Sequence, residues 1–266
     1  MPKLALAVEY VGTKFHGSQY QSGHRTVQSE LEHALKILTK TDIRVTFSGR
    51  TDSGVHARRQ VAHINLPADF LEDAEGRPKI DLRRLTWSIN GIIGKDVAVS
   101  AIQKVDSEFH ARFSAIKREY VYRIFNGRQR SALLKDSHYF IKEPLDLKAM
   151  NDGASRMLGS HDFRAFRSSN ASSSTTICFV ERCEILNLGE GQLEFWIVAD
   201  HFVYNMVRII VGTLIEIGLG KRVPESISEA LDKGERELNG PTAPPRGLTL
   251  NSVQYPAKYC LFEQNS

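Results

Sequence analysis

A succession of short alternating strands and capped helices, run through twice, most restricts the folds open to this chain. Residues 4–10 read as a strand, and Thr26 stands ahead of Val27, Leu31, Ala34, Leu35 and Leu38, whose spacing puts them on one helical face with Thr26 as the cap. Residues 43–48 and 60–66 read as further strands, Asp81 heads a helix carrying Leu82, Leu85 and Ile89, and residues 97–105 supply another strand. A second series follows, with a strand over 120–125, a helix over 146–158 ended by Gly159, and long strands over 177–188 and 193–200. It continues with an apolar helix over 205–217, a short helix begun by Pro224 with Gly234 beyond its end, and a closing strand over 248–253. The expected class is α+β with mostly antiparallel pairing, in two halves over residues 1–108 and 109–266. With 266 residues, 41% of them hydrophobic, the chain is long enough for one large core or two fused smaller ones, and two halves joined into one extended sheet are preferred. Segments 72–79 and 168–176, polar and punctuated by Gly, Pro, Ser and Asn, read as surface connections.

Between the strands at 43–48 and 60–66 lies Phe47-Ser48-Gly49-Arg50-Thr51-Asp52-Ser53-Gly54-Val55-His56-Ala57, so Asp52 sits beyond a strand end. Glycines at 49 and 54 open backbone conformations closed to other residues and can aim a short side chain without bulk around it. Arg50 would favour the ionised form of that carboxylate, which a nucleophile requires. Asp and Gly also dominate ordinary turns, and a plain hairpin connection accounts for the same segment taken alone.

Net charge is only +4, yet residues 110–135 hold Arg112, Lys117, Arg118, Arg123, Arg128, Arg130 and Lys135 against the single acid Glu119. Interleaved with Phe113, Tyr120, Tyr122 and Phe125, these bases suit a polyanion whose own bases can stack, the dress of an RNA-binding face; a solvated basic strand is the alternative. Arg58 and Arg59 extend the candidate RNA contacts, of which Arg112, Arg128 and Arg130 are the others. Cys178, Cys183 and Cys260 are odd in number and form no Cys-x-x-Cys pair, against a disulfide framework or a zinc ribbon. No apolar run reaches the length of a membrane span and Met1-Pro2-Lys3-Leu4 opens no signal peptide, so a soluble, cytoplasmic protein is expected. Gly12-Thr13-Lys14-Phe15-His16-Gly17 lacks the Gly-Lys-Ser/Thr of a phosphate loop, the nine histidines form no His/Cys set at metal-ligand spacing, and no Gly-x-Ser-x-Gly elbow occurs. Neither metal nor cofactor is expected.

Gly49 to Ala57, followed by Gln60-Val61-Ala62-His63, closely resembles the signature of the tRNA pseudouridine synthase A family, in which the Asp is the catalytic nucleophile. Four further blocks resemble the family in order. Phe109-His110-Ala111-Arg112-Phe113-Ser114-Ala115 with Arg118, Tyr120, Tyr122 and Arg123 forms the second, whose first tyrosine lines the uracil pocket. His161-Asp162-Phe163 with Phe166, then Phe202 with Asn205-Met206-Val207-Arg208 and Gly212, and Thr242-Ala243-Pro244 with Gly247-Leu248 and Leu250 complete the set. The resemblance runs from about Leu4 to Tyr255. It implies the pseudouridine synthase fold with an active-site cleft between the halves, and action on tRNA uridines 38, 39 and 40 in the anticodon stem-loop as a homodimer.

The implied reaction breaks the bond from ribose C1' to N1, turns the uracil, and joins C1' to C5. Asp52 would begin it by attack at C1', by addition to C6 or by assisting a glycal, and the sequence does not choose. An extruded base needs a platform, the role expected of Tyr120, whose hydroxyl is also available for proton transfer. The resemblance pairs Arg208 with the catalytic carboxylate; the apolar neighbours Met206, Val207 and Ile209 favour a partly buried guanidinium over a surface one. Leu248 is expected as apolar pocket wall, with an ordinary core leucine as the alternative. Where the family usually has Gly-Trp, this chain has Gly17-Ser18-Gln19, read as the loss of a stacking or packing group. Two other classes compete: a catalytically silent RNA-binding module and a nucleoside N-glycosidic hydrolase, although the latter commonly deploys paired carboxylates.

Overall fold

The structure, a computed structural model, describes residues 2–262 apart from 72–74, 76, 78 and 169–174. The connections expected at 72–79 and 168–176 therefore lie largely outside the described residues. The chain divides into two compact units, one running to Ile116 and resuming at Leu250, the other Lys117–Thr249.

In the first unit, strands β1 (Lys3–Tyr10), β2 (Thr46–Phe47), β3 (His56–Asn65) and β4 (Val97–Val105) alternate with helices α1 (Val27–Thr39), α2 (Ala68–Leu71) and α3 (Leu82–Asn90). β1 lies between β3 and β4, antiparallel to both, and β2 pairs antiparallel with β3. α1 starts where Thr26 was expected to cap it: Thr26 Oγ1 accepts from Ser29 N–H while Ser29 Oγ accepts from Thr26 N–H, a reciprocal box that satisfies two otherwise orphaned donors. It buries Val27, Leu31, Ala34 and Leu35. Ala5, turned by strand alternation away from the face of Leu4 and Leu6, packs instead with Val61, Phe109 and Ala111, beneath Tyr255 and Tyr259. The sheet of this unit is therefore covered on both faces, and the second sequence block is anchored to one of them.

The second unit carries β5 (Lys117–Asn126), β6 (Tyr139–Ile141), β7 (Gly159–Asp162), β8 (Ile177–Gly189) and β9 (Gln192–Ala199), with α4 (Leu147–Ser155), α5 (Met206–Gly218) and α6 (Ser226–Lys233). β9 pairs antiparallel with β5 and β8, β7 pairs antiparallel with β8, and β6 runs parallel to β5. A last strand, β10 (Leu248–Gln254), begins in this unit and ends in the first. Eleven of the thirteen residues of α5 are buried, the mark of a helix enclosed by its unit rather than laid on its surface.

The class is α+β with mostly antiparallel strands, as the sequence reading has it. Several boundaries differ: β3 and β5 begin four and three residues before the strands expected at 60 and 120, and α6 begins at Ser226 rather than at Pro224. Three further differences have a visible cause. The strand expected over 43–48 shrinks to two residues, because Val45 N–H donates to Glu32 Oε1 (3.0 Å) on α1. The helix expected to reach 158 ends at Ser155, where the i to i+3 bonds Met157 N–H to Ala154 O and Leu158 N–H to Ser155 O tighten the chain. Gly159, at φ +97°, then opens β7 rather than closing a helix. Among the described residues no helix is long and apolar enough to cross a membrane.

Candidate active site

Asp52 stands in the turn between β2 and β3, and that turn is bound down along its whole length. At its start, Ser48 N–H donates to the Val61 carbonyl (2.8 Å), the Ser48 hydroxyl donates to Gln60 Oε1, and Gln60 Nε2 donates to the Gly49 carbonyl (3.1 Å). In its middle, Thr51 N–H donates to Ser18 Oγ (2.9 Å), Ser18 N–H donates to the Thr51 carbonyl (3.1 Å), and Thr51 Oγ1 lies 2.8 Å from the Tyr10 hydroxyl. At its end, Val55 N–H donates to the Asp52 carbonyl (3.1 Å) and Gly54 N–H to the Phe15 carbonyl (3.3 Å). Tyr10, Ser18, Ser48, Thr51 and Gln60 are all buried, and a satisfied buried polar network rigidifies what it joins. Burial pushes the Tyr10 phenol up to about 12 against the opposing effect of hydrogen bonds with Thr51, Gln60 and Ser18, so it holds its proton at neutral pH.

The glycine expectations divide. Gly54 adopts φ +80°, as a turn residue without Cβ can, but Gly49 lies outside the left-handed region and a Cβ there would meet nothing within 4 Å. Gly12 is the residue that close approach demands: a Cβ there would sit 2.0 Å from the Val55 carbonyl oxygen. Its N–H donates to His56 Nδ1 (3.0 Å), which leaves Nε2 as the nitrogen that carries the imidazole proton. The segment from Gly12 to Ser18 is thus the bed of the Asp52 turn. Ser18, which stands where the resemblance leads one to expect a larger stacking or packing group, is fully buried and holds Thr51 from both sides. Arg50 is exposed, Asp52 is half-buried, and Arg58 and Arg59 are exposed on β3, Arg59 reaching the Phe262 carbonyl (3.4 Å). Arg112 is exposed, 5.8 Å from the ring of Phe113.

In the second unit, blocks well apart in sequence meet. Tyr120, half-buried on β5, meets Phe202 edge to face with ring centroids 5.1 Å apart. Arg208, in the first turn of α5, donates through Nε to the Ala243 carbonyl (2.8 Å) and through a terminal nitrogen to Asn205 Oδ1 (2.9 Å), while Ala243 N–H donates to the Arg208 carbonyl (3.0 Å). The guanidinium is therefore half-buried and aimed, as its apolar neighbours led one to expect. Tyr122 is fully buried and donates its hydroxyl to the Pro244 carbonyl (2.8 Å); burial, with Tyr139 beside it, pushes its phenol far up. Leu248 is buried and follows Gly247, whose backbone lies against the Tyr122 ring. Phe202, Asn205, Ala243 and Pro244 are the supports that a reading of single residues misses; only their membership of the motif blocks marks them.

The basic stretch is not uniform. Lys117 pairs with Glu181 (2.5 Å), Arg118 donates to the Asp200 carbonyl (2.7 Å), and Arg123 pairs with Glu194 (3.0 Å) and bonds Thr249 (3.1 Å). Arg128 and Arg130 lie exposed in the loop after β5. A cluster that sequence spacing hides joins Cys178, His201 and Asp200, with Sγ 3.5 Å from Nε2 and Nδ1 3.0 Å from the carboxylate. Burial, with Asp200 and Asp162 nearby, pushes the Cys178 thiol up to about 12, so it remains a protonated link between the start of β8 and the end of β9. All three cysteines are free.

A family model described as tRNA pseudouridine synthase matches residues 6–114 and 154–256. The tRNA pseudouridine synthase A of Halalkalibacterium halodurans is 41% identical over 249 residues, 93% of this chain and 90% of that protein. That of Acetivibrio thermocellus is 38% identical over 255 residues, 96% of this chain and 100% of that protein. Among solved structures, the archaeal box H/ACA sRNP Nop10-Cbf5 complex aligns over 94% of this chain and 59% of the matched chain, with TM-score 0.33 and 10% identity.

Proposed function

The chain belongs to the tRNA pseudouridine synthase family, and from that premise we propose that it isomerises uridine to pseudouridine in tRNA, at positions 38, 39 and 40 of the anticodon stem-loop. We assign its active form to a cytoplasmic homodimer, with the catalytic turn in the half formed by residues 1–108 and the base platform in residues 109–266. The observation that carries the chemistry is the Asp52 turn: a carboxylate on a backbone bonded on both sides to buried groups, within the segment matched by the family model.

In this reading Asp52 is the nucleophile, directed at C1' or at C6 of the uracil or assisting the glycal route. The N1–C1' bond breaks, the C5–C1' bond forms, and the C5 proton is lost to solvent as N1 regains one. Nothing is oxidised and no atom is imported, so the reaction calls for neither cofactor nor metal. A base taken out of the stack must rest on something. Tyr120, braced edge-on by Phe202, offers a half-buried aromatic wall for it. Arg208 presents a fixed guanidinium, Arg50 an exposed one beside Asp52 in sequence, and Leu248 an apolar surface. Arg58, Arg59, Arg112, Arg128 and Arg130 supply exposed cations for phosphates.

Unmodified tRNA carrying tritium at uracil C5 tests the proposal. Tritium released to water with the base still attached marks isomerisation. Free uracil would instead mark the hydrolase, and binding without either product would mark the silent RNA-binding module.

A further inference from the structure

We propose that Ser18, Thr51 and Tyr10 are positioning residues for Asp52, a buried chain of hydroxyls that fixes the backbone on which the carboxylate stands. This rests on the reading of Asp52 as the nucleophile. Ser18 clamps residue 51 reciprocally, accepting from its N–H at 2.9 Å and donating to its carbonyl at 3.1 Å. The Thr51 side chain is held in turn by the Tyr10 hydroxyl at 2.8 Å, at the end of β1. On the other side of Asp52, its own carbonyl accepts from Val55 N–H at 3.1 Å. The peptides flanking the Asp52 Cα are therefore both tied to buried or turn groups.

The clamp leaves no slack. Ser18 and Gly17 are both buried, and a Cβ on Gly17, which takes φ +87°, would lie 2.7 Å from the Thr51 carbonyl oxygen. Ser18 is matched to Thr51 by chemistry as well as by space, because its hydroxyl is the acceptor for a buried N–H that otherwise has none in the clamp. Tyr10 reaches Thr51 only because β1 and β3 are paired in the register that sets Tyr10 against Ala57. A nucleophile so mounted meets the geometric demand of attack on a bound nucleotide, where displacement by about 1 Å costs on the order of a hundredfold in rate.

The variants are Ser18→Ala, Thr51→Val, Tyr10→Phe and the conservative Thr51→Ser, with Asp52→Asn as the reference for the underlying reading. Single-turnover rate at saturating tRNA, tRNA Kd and thermal unfolding are measured for each. Expected is a rate loss of about 10- to 100-fold for Ser18→Ala and Thr51→Val, smaller for Tyr10→Phe, with Kd within about twofold and Thr51→Ser restored to near the wild-type rate. A purely structural hydroxyl chain would lower the unfolding temperature and leave the rate of the folded fraction untouched, which overturns the proposal. So does a loss in Thr51→Ser with a wild-type rate in Thr51→Val, which would assign the effect to methyl packing rather than to the hydroxyl. Should Thr51→Val fail to fold, Tyr10→Phe removes one end of the chain with the ring kept, and a wild-type rate in it together with Ser18→Ala is again refuting. Loss of activity in Asp52→Asn with wild-type rates in the others sinks the positioning role alone; turnover by Asp52→Asn sinks the nucleophile reading and the proposal together.

Discussion

Gly212→Ala sets helix propensity against packing, and the structure decides the sign. In an unobstructed helix interior the change stabilises by about 1 kcal/mol, since glycine loses more backbone entropy on folding. Gly212 lies inside α5, and a Cβ on it would stand 1.7 Å from the Pro241 carbonyl oxygen and 2.9 Å from its carbon. An ordinary C···O contact is roughly 3.3 Å, so the 240–243 segment must withdraw by well over an ångström. Three bonds resist it: Gly240 N–H to Thr213 Oγ1 (2.9 Å), Ala243 N–H to the Arg208 carbonyl (3.0 Å), and Arg208 Nε to the Ala243 carbonyl (2.8 Å). Overpacking at roughly 1–3 kcal/mol and weakened bonds at about 1 kcal/mol each outweigh the propensity gain, leaving a net loss of about 3–5 kcal/mol. For a chain of this size that is a fall of about 6–20 °C in Tm, read by circular dichroism. Turnover should fall further than the folded fraction explains, because Arg208 loses the carbonyl that aims it. Gly153→Ala is the control: its Cβ would meet the ends of Ile217 (3.0 Å) and Leu214 (3.2 Å), flexible tips that can yield, so its effect should stay within about 1 kcal/mol. A Tm for Gly212→Ala at or above wild type, or an equal fall for Gly153→Ala, refutes the reasoning.

Acid should destabilise the first unit through His63, whose pKa burial, then His110 and Lys3, lowers to about 4. Between the ordinary value near 6.5 and 4 the unfolded chain binds a proton that the fold refuses, so stability is full above that window and lost on descending through it, by on the order of 2 kcal/mol at pH 4.5; urea titrations should show a smaller loss in His63→Asn, which keeps an acceptor for Ala111 N–H. Replacing both Arg128 and Arg130 by Ala should flatten the salt dependence of tRNA affinity by about one to two in log–log slope, and an unchanged slope would remove that loop from the RNA footprint. Arg123→Gln should instead lower Tm with the slope intact, since its guanidinium is spent on Glu194 and Thr249. Tyr120→Phe should keep most of the single-turnover rate and Tyr120→Ala lose it, the ring being the wall that Phe202 braces; equal losses would transfer the role to the hydroxyl.

What was legible in the sequence was local. Thr26, Asp81 and Asp146 cap the helices that follow them because a short oxygen-bearing side chain satisfies the first free N–H groups wherever the rest of the fold lies. Gly234, at φ +73°, closes α6 for an equally local reason. The failures were decided from far away. Ile43 and Val45 have the period of a strand and are buried like one, but the Val45 N–H that a ladder would use goes to Glu32, a partner thirteen residues back on a helix. β7 is four residues with a glycine at its head and three polar side chains, too short for periodicity to mark; pairing with β8 makes it a strand. At the proposed site, the motif loop points to Asp52, but the groups that hold its turn, Tyr10 and Ser18, lie forty-one and thirty-three residues from Thr51 and carry no signature of their own.

Charge behaves in the same way, and this alters what the basic stretch means. Counted along the chain, residues 110–135 carry an excess of six positive charges, more than the whole protein. In space, Lys117 faces Glu181, Arg123 faces Glu194, and Arg118 fills its fork on a backbone carbonyl. Each of these partners lies on β8 or β9 or just beyond β9, supplied by the antiparallel ladder that brings β9 beside β5. A strand inside a sheet cannot keep a run of bases solvated, since its long side chains lie beside those of its neighbours and oppositely charged pairs across strands are favoured. Much of the surplus that survives folding lies outside the strand, in the loop after β5 that holds exposed Arg128 and Arg130 and at exposed Arg112 ahead of it. Leu133 in that same loop is 94% exposed. On the function proposed above, a polyanion attracted there would find cations beside an apolar tip; the interleaved aromatics of β5 itself lie elsewhere, with Tyr122 buried in the core and Tyr120 braced by Phe202.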